Sequence, residues 1–195
     1  MHRLTAFMSA HPNTPLQTTY EGRGFGGGHP VLDQYLSQAD KLVAATKAGG
    51  VTMPSTSRDI KEGADPLPVG EKEWYGVGGA SDYRARGEYA TARDRPRVPE
   101  KVYSNHPALS GPQFDQAAGL EHVLDVEGHN VARAATGIRT EAAFAGGWTE
   151  DGGKKVVLDH SLALPNKNTA MNMARSVGER AIFDAKNIKD IKVTP

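Results

Sequence analysis

The residues that could build a core are unevenly distributed along this chain of 195 residues. Residues 1–100 contain 13 of the 22 glycines and 8 of the 12 prolines but only 15 Leu, Ile, Val and Phe, whereas residues 101–195 contain 21 of those apolar residues. A segment rich in glycine and proline loses much conformational entropy on folding and gains little buried apolar surface in return. The sequence therefore predicts a loop-rich arm or linker over residues 1–107 and a compact domain over residues 108–195.

One amphipathic helix is predicted inside the arm, from about Pro30 to Lys47. Its apolar residues recur at helical spacing on one face, Pro30 suits a first helical turn, and Gly49-Gly50 suits its end. Such a helix is not stable alone in water, so its apolar face must pack on the C-terminal domain, on a second copy of the chain or on another protein. The predicted interaction residues on this face are Leu32, Leu36, Leu42 and Val43. The following segment, 51–99, is interrupted by prolines and glycines and is predicted to be loop or linker.

Residues 108–195 show an alternation of helical and strand patterns. Phe114 to Leu124 has helical spacing, and Gly128 to Ala135 either continues that helix or follows it after a break. The turn Glu150-Asp151-Gly152-Gly153 separates two strand patterns and predicts a hairpin. The other predicted elements are a helix at 169–177 and strands at 181–184 and 188–193. This order predicts an α+β fold, with a small antiparallel sheet and helices on one face.

The hairpin carries the motif Gly-Gly-Trp-Thr-Glu-Asp-Gly-Gly-Lys-Lys-Val-Val-Leu-Asp at 146–159, and Arg180-Ala181-Ile182-Phe183-Asp184 follows the next helix. Together, over residues 138–193, these motifs resemble a small uncharacterised α+β domain of actinobacteriophage virion-associated proteins, found near Mu F-like minor capsid proteins. The resemblance implies a structural or protein-interaction component of a bacteriophage virion, either minor capsid or capsid-associated. Such a protein would be located in the virion or in the host cytoplasm.

The charge balance and composition limit the classes of partner. The 23 basic and 23 acidic side chains cancel, so no bulk positive field is present to hold a nucleic acid or an anionic membrane. The absence of cysteine excludes disulfides and thiolate metal sites. No stretch approaches the ~20 apolar residues of a membrane span, and no signal-peptide core is visible. We therefore expect a protein partner or self-association, with no membrane partner and no cofactor, and nucleic acid is disfavoured.

A cluster of arginines with interspersed tyrosines lies at 83–97. Against three acidic neighbours its net charge is about +2, which is enough for a local acidic or phosphate contact. A docking arm is favoured over a nucleic-acid site for this cluster, and a plain solvated linker is favoured over either. The interaction residues assigned to it are Arg84, Arg86, Arg93 and Arg95.

A second hypothesis is a toxin-like effector enzyme. Ser55-Thr56-Ser57 and Glu71-Lys72-Glu73 resemble the paired motifs of arginine-type ADP-ribosyltransferases. The resemblance implies that Arg23 binds the cofactor phosphates, Ser55 orders the site and Glu73 stabilises the developing oxocarbenium charge. Glu71 lies 16 positions after Ser55, and two prolines intervene where that motif pair normally has strands. A non-enzymatic role is therefore favoured.

The candidate metal ligands are His122, Asp125 and His129, at positions i, i+3 and i+7 of a predicted helix. Two imidazoles and a carboxylate on one face suit zinc or a similar divalent ion. However, two helical turns, ~10 Å of rise, separate the two histidines, so they could not reach one ion without distortion. His160, beside Asp159, is the candidate ligand from a neighbouring strand. Solvated helix histidines are the preferred interpretation, so no metal is expected.

Overall fold

The computed structural model describes residues 30–79, 101–105, 111–135 and 142–194. Within them, helices and one antiparallel sheet form an α+β fold, which confirms the predicted fold class. The helices are α1 (Pro30–Lys47), α2 (Ser57–Glu62), α3 (Gln116–Ala135) and α4 (Lys167–Val177). The strands are β1 (Gly50–Pro54), β2 (Tyr75–Gly78), β3 (Lys101–Ser104), β4 (Phe144–Glu150), β5 (Lys155–Leu164), β6 (Ala181–Asp184) and β7 (Lys189–Lys192).

The sheet is organised around β5. Its strand order is β1-β4-β5-β2-β6-β7, and β3 also pairs with β5. The predicted hairpin is confirmed: β4 and β5 pair in antiparallel register and are joined through a 3₁₀ turn at Asp151–Gly153. Because β5 is ten residues long and contacts β4, β2 and β3, it connects the strands from both halves of the chain.

Two strands share one edge of β5. β3 pairs with Lys155 to Leu158, and β2 pairs with Ser161 to Leu164. Both are antiparallel to β5, so β2 and β3 run in the same direction, one after the other. Asp159 and His160 lie in the break between them, opposite neither strand.

The helices cover one face of the sheet, as predicted. Because side chains alternate along a strand, the helix-facing residues of β5 are the even-numbered ones. The α1–α3 core consists of Tyr35, Leu42, Met53, Ile60, Val123, Val126, Ala143 and Ala145. A small neighbouring cluster contains Phe114, Ala118, Val156 and Leu158. The α4 core consists of Tyr75, Val77, Leu162, Leu164, Ala170, Ala174 and Ile182.

The residues predicted to form an arm supply much of this architecture. β1, α2 and β2 lie inside the segment that was predicted to be loop or linker, 51–99, apart from the first residue of β1. β1 pairs with β4, while β2 pairs with β5 and β6, and β3 pairs with β5. The predicted boundary at residues 107 and 108 is therefore crossed by the sheet. Short strands with glycine and proline carry little local signal, and their stability comes from pairing with distant residues.

The helices agree well with the sequence pattern. α1 has the predicted bounds, and it packs on the protein's own core through the fully buried side chains Tyr35 and Leu42. α3 is continuous through Gly128, so the alternative of a break there does not apply. α4 begins at an Asn166 cap, whose side chain accepts from two backbone N–H groups, and ends at Gly178 in the left-handed region with φ 75°.

Candidate metal centre

Three potential metal ligands converge between α3 and the break in the edge of β5. His122 and Asp125 come from α3, and His160 comes from β5. One ligand atom from each residue lies within 4.8 Å of the others, and no other such group is found among the described residues. The i, i+3 spacing places His122 and Asp125 on one face of α3. Side chains alternate between the two faces of β5, and His160 is on the face that is covered by α3.

One distance within the group matches the separation of two ligands of a tetrahedral ion. His160 Nε2 lies 3.5 Å from Asp125 Oδ2, which is too long for a good hydrogen bond and is a contact between potential ligands. Ligand atoms around a tetrahedral ion with bonds of about 2.1 Å are separated by about 3.4 Å. The Asp125 and His160 atoms therefore already have the spacing of two ligands of one ion, and a ligand atom of His122 lies within 4.8 Å of both.

A backbone carbonyl in the strand break orients His122. Its Nε2 lies 3.0 Å from the carbonyl oxygen of Asp159, so that nitrogen donates its proton to the carbonyl. The other ring nitrogen, Nδ1, is then the one with a free electron pair. Metal-binding histidines commonly use one nitrogen for the ion and donate from the other to a carbonyl or carboxylate.

Burial keeps His122 in the neutral form that a metal ligand requires. Desolvation lowers the pKa of His122 to about 3, with smaller contributions in the same direction from electrostatic interactions with His160 and Lys101. The imidazole is therefore neutral at physiological pH. His122 and His160 are only 1% and 5% exposed, so they form the floor of the site.

The two buried imidazoles have unused hydrogen-bonding capacity. His122 Nδ1 and both ring nitrogens of His160 are buried and have no hydrogen-bond partner in the part of the chain that the structure describes. The His160 ring instead contacts the rings of His122 and His129, with centroids 5.8 and 5.2 Å away. Unsatisfied buried polar atoms are rare in proteins and call for a specific explanation.

Two further residues surround the ligand group. Lys101, the first residue of β3, places its Nζ 3.0 Å from Asp125 Oδ2 and 3.3 Å from Glu121 Oε1. His129 contacts the ring of His160 but does not belong to the converging group. Of the three predicted ligands, His122 and Asp125 therefore belong to the group and His129 does not. The two helical turns between His122 and His129 account for this, as the sequence spacing indicated.

The side chain of Asp159 lies on the opposite face of the sheet. Its Oδ1 accepts a 2.6 Å hydrogen bond from Ser161 Oγ. A Cβ atom on Gly78 or Gly146 would collide with its carboxylate, so both neighbouring strands need glycine there. Asp159 thus contributes to the metal centre through its backbone carbonyl and not through its carboxylate.

Two residues of the transferase hypothesis, Ser55 and Glu73, lie far apart in the structure. Ser55 Oγ donates to the carbonyl of Met53, while Glu73 Oε1 accepts from the hydroxyl of Tyr75. Ser55 follows β1 and Glu73 precedes β2, and β4 and β5 lie between those strands, a separation of about 14 Å across the sheet. Arg23 lies outside the described residues, so the hypothesis stays a prediction.

Some of the predicted interaction residues lie in the described part of the chain and others do not. Leu42 is fully buried in the α1–α3 core, Val43 packs against the cluster around Phe114, and Leu32 and Leu36 are half-buried. The arginines Arg84, Arg86, Arg93 and Arg95 lie outside the described residues. The hypothesis of a protein-interaction component of a virion stays a prediction.

Comparisons with known proteins add no relationship. The chain matches no family model, no curated protein and no solved structure. Among the described residues, no helix is long and apolar enough to cross a membrane. The function must therefore be argued from the geometry of the candidate site itself.

Proposed function

We propose that this protein binds a divalent metal ion of the zinc class through His122, Asp125 and His160. The observation that carries the proposal is the convergence of three ligand-type side chains where three of the four imidazole nitrogens, His122 Nδ1 and both nitrogens of His160, have no hydrogen-bond partner among the described residues. A buried polar atom without a partner destabilises a fold by about 1–3 kcal/mol. An ion would accept the electron pair of one nitrogen from each ring.

The ligand types indicate the class of metal. Two neutral imidazole nitrogens and one carboxylate suit zinc and similar transition metals, whereas magnesium and calcium prefer oxygen ligands alone. Three protein ligands leave one position of a tetrahedral ion open, as is typical of catalytic zinc sites. When bound there, such an ion supplies a Lewis acid and lowers the pKa of a coordinated water to about 7.

The surrounding residues have separate roles in this proposal. The carbonyl of Asp159 fixes the proton of His122 on Nε2 and leaves Nδ1 free for the ion. Lys101 orients the carboxylate of Asp125 through an ion pair of 3.0 Å. The buried position of His122 and His160 excludes water from the side of the site that faces the core.

Titration of the metal-free protein with Co²⁺ tests the proposal directly. Tetrahedral Co²⁺ with nitrogen ligands gives a visible absorption band, and Zn²⁺ should displace it. We expect saturable binding of one ion, and loss of a ligand in His160→Leu or Asp125→Ala should weaken it at least about 100-fold. Zn²⁺ at 100 times its Kd should also stabilise the fold by about 2.7 kcal/mol.

His129→Ala is the matched control, because His129 contacts the His160 ring but lies outside the converging group. It should change the affinity for Co²⁺ by less than about tenfold, below the effect of losing a ligand. Circular dichroism of each metal-free variant verifies that it is folded. Wild-type affinity in both His160→Leu and Asp125→Ala, or no saturable binding by the wild type, would refute the proposed site.

A further inference from the structure

Among the described residues of the candidate metal centre, the ligand Asp125 and its partner Lys101 are partly exposed. His122 and His160 are almost completely buried, whereas the side chains of Asp125 and Lys101 are 30% and 25% exposed. Solvent therefore reaches the described part of the site at Asp125 and Lys101. This inference rests on the proposed metal site.

The ammonium of Lys101 stands at this opening. Its Nζ lies 3.0 Å from Asp125 Oδ2, the same oxygen that is 3.5 Å from His160 Nε2. If that oxygen binds the ion at about 2.1 Å, the ammonium is within about 5 Å of the metal. A group at the open coordination position can then accept a hydrogen bond from Lys101.

The charges at the opening favour an anion. Lys101 is paired with Asp125 and Glu121, and a bound divalent ion would compete for the negative charge of Asp125. An ion of charge +2 and an ammonium then face two carboxylates, which leaves an excess of positive charge at the opening. A compact ammonium binds phosphate as a point charge, while planar carboxylates are typically bound by the fork of an arginine.

We propose that the open coordination position accepts a phosphate group, one oxygen of which binds the ion while another accepts a hydrogen bond from Lys101. Such a group would belong to a phosphate ester or to free phosphate. The residues His122, Asp125 and His160 hold the ion, and Lys101 provides selectivity for the anion.

Titration of the Co²⁺-loaded protein with inorganic phosphate tests this inference, with calorimetry and the visible spectrum as readouts. We expect saturable binding that shifts the visible band, and acetate at equal concentration should bind at least about tenfold more weakly, a difference of about 1.4 kcal/mol. Lys101→Met also removes the ion pair that orients Asp125, so its Co²⁺ affinity is measured first and phosphate is then titrated at saturating Co²⁺. Under those conditions the variant should bind phosphate at least about tenfold more weakly than the wild type. Phenyl phosphate, used as a second probe, should show the same dependence on Lys101 if a phosphate ester is accepted.

Lys155→Met serves as the control, because Lys155 pairs with Asp151 at 2.6 Å in the turn between β4 and β5. It should leave both affinities unchanged. If Co²⁺ binds but phosphate causes no spectral change, or if Lys101→Met binds phosphate like the wild type, the inference is wrong and the metal site stands. If Co²⁺ itself does not bind, both proposals fail.

Discussion

The helix-covered face of β5 packs against α3 near its start and against α4 near its end, and the side chains that the strand places in these two regions differ. Toward α4 it presents Leu162 and Leu164, which are both 4% exposed and packed among apolar residues. Toward α3 it presents Leu158 and then His160, which occupies the next position of the same alternating pattern. An imidazole in place of an aliphatic side chain is unfavourable for burial unless its nitrogens are bonded. The α4 core thus has the composition of a packing core, whereas the buried imidazole of His160 is what the proposed metal site would explain.

Removing the first half of the chain should have the largest effect on this architecture. A fragment of residues 108–195 lacks α1, β1, β2 and β3, so both cores lose partners and β5 loses one paired edge. We expect the fragment to show no cooperative unfolding in urea, whereas the full chain shows one transition. Cooperative unfolding of the fragment by fluorescence and circular dichroism would mean that the C-terminal half is an independent domain after all.

Leu162→Ala should weaken the α4 core strongly. Leu162 is 4% exposed and packs in the α4 core, so its truncation should lower the free energy of unfolding by about 2–5 kcal/mol. Urea denaturation measures this loss. Val69→Ala, at a side chain 46% exposed, is the control and should change stability by less than about 0.5 kcal/mol.

Acid should destabilise the α3 side through His122. Its pKa falls from 6.5 to about 3 on folding, so between these values the unfolded chain binds the extra proton. The contribution of His122 is therefore complete above about pH 6.5 and is lost by about 1.4 kcal/mol per pH unit as the pH falls toward 3. Urea denaturation with a chelator at pH 7, 6 and 5 measures this slope.

His122→Gln is the comparison for the acid experiment, because glutamine retains an N–H donor for the Asp159 carbonyl and does not titrate. The variant should show a shallower loss of stability over the same pH range. Equal slopes for the wild type and His122→Gln would show that His122 does not become charged on unfolding in this range.

His160→Leu should have the smallest effect on the metal-free protein. Leucine restores the aliphatic pattern of β5 and removes two buried ring nitrogens without hydrogen-bond partners among the described residues. We expect the free energy of unfolding in the presence of a chelator to change by less than about 1 kcal/mol, or to rise. A loss of several kcal/mol would mean that His160 has a structural role in the fold.

The sequence predicts the elements whose signals are local. α1, α4 and the β4-β5 hairpin are specified by helical periodicity, by caps and by a glycine-rich turn. β1 is different, since its Gly50 pairs with Trp148, almost a hundred positions away. Such pairing depends on the whole sheet and leaves little trace in a five-residue strand.

The same distinction applies to the site. The i, i+3 spacing of His122 and Asp125 could be recognised from the sequence, because it needs only a helix. The position of His160 depends on the register of β5, where a shift of one residue would turn its side chain to the opposite face. The position of Lys101 depends on where the chain returns to β5 to begin β3. No local sequence pattern predicts that His160 and Lys101 lie beside the ligands on α3.

The sheet fixes the distance between the end of β2 and the start of β3. Gly78 pairs with Ser161 and Lys101 pairs with Leu158, so the two strand ends are held three residues apart along β5, about 10 Å. The sheet fixes this distance but not the number of residues that connect the two ends. Because closure entropy grows slowly with the number of residues in a connection, connections of quite different length could join the same two strand ends. The edge of β5 thus fixes where the chain leaves and re-enters the sheet beside the candidate metal centre, without fixing the length of chain between those two points.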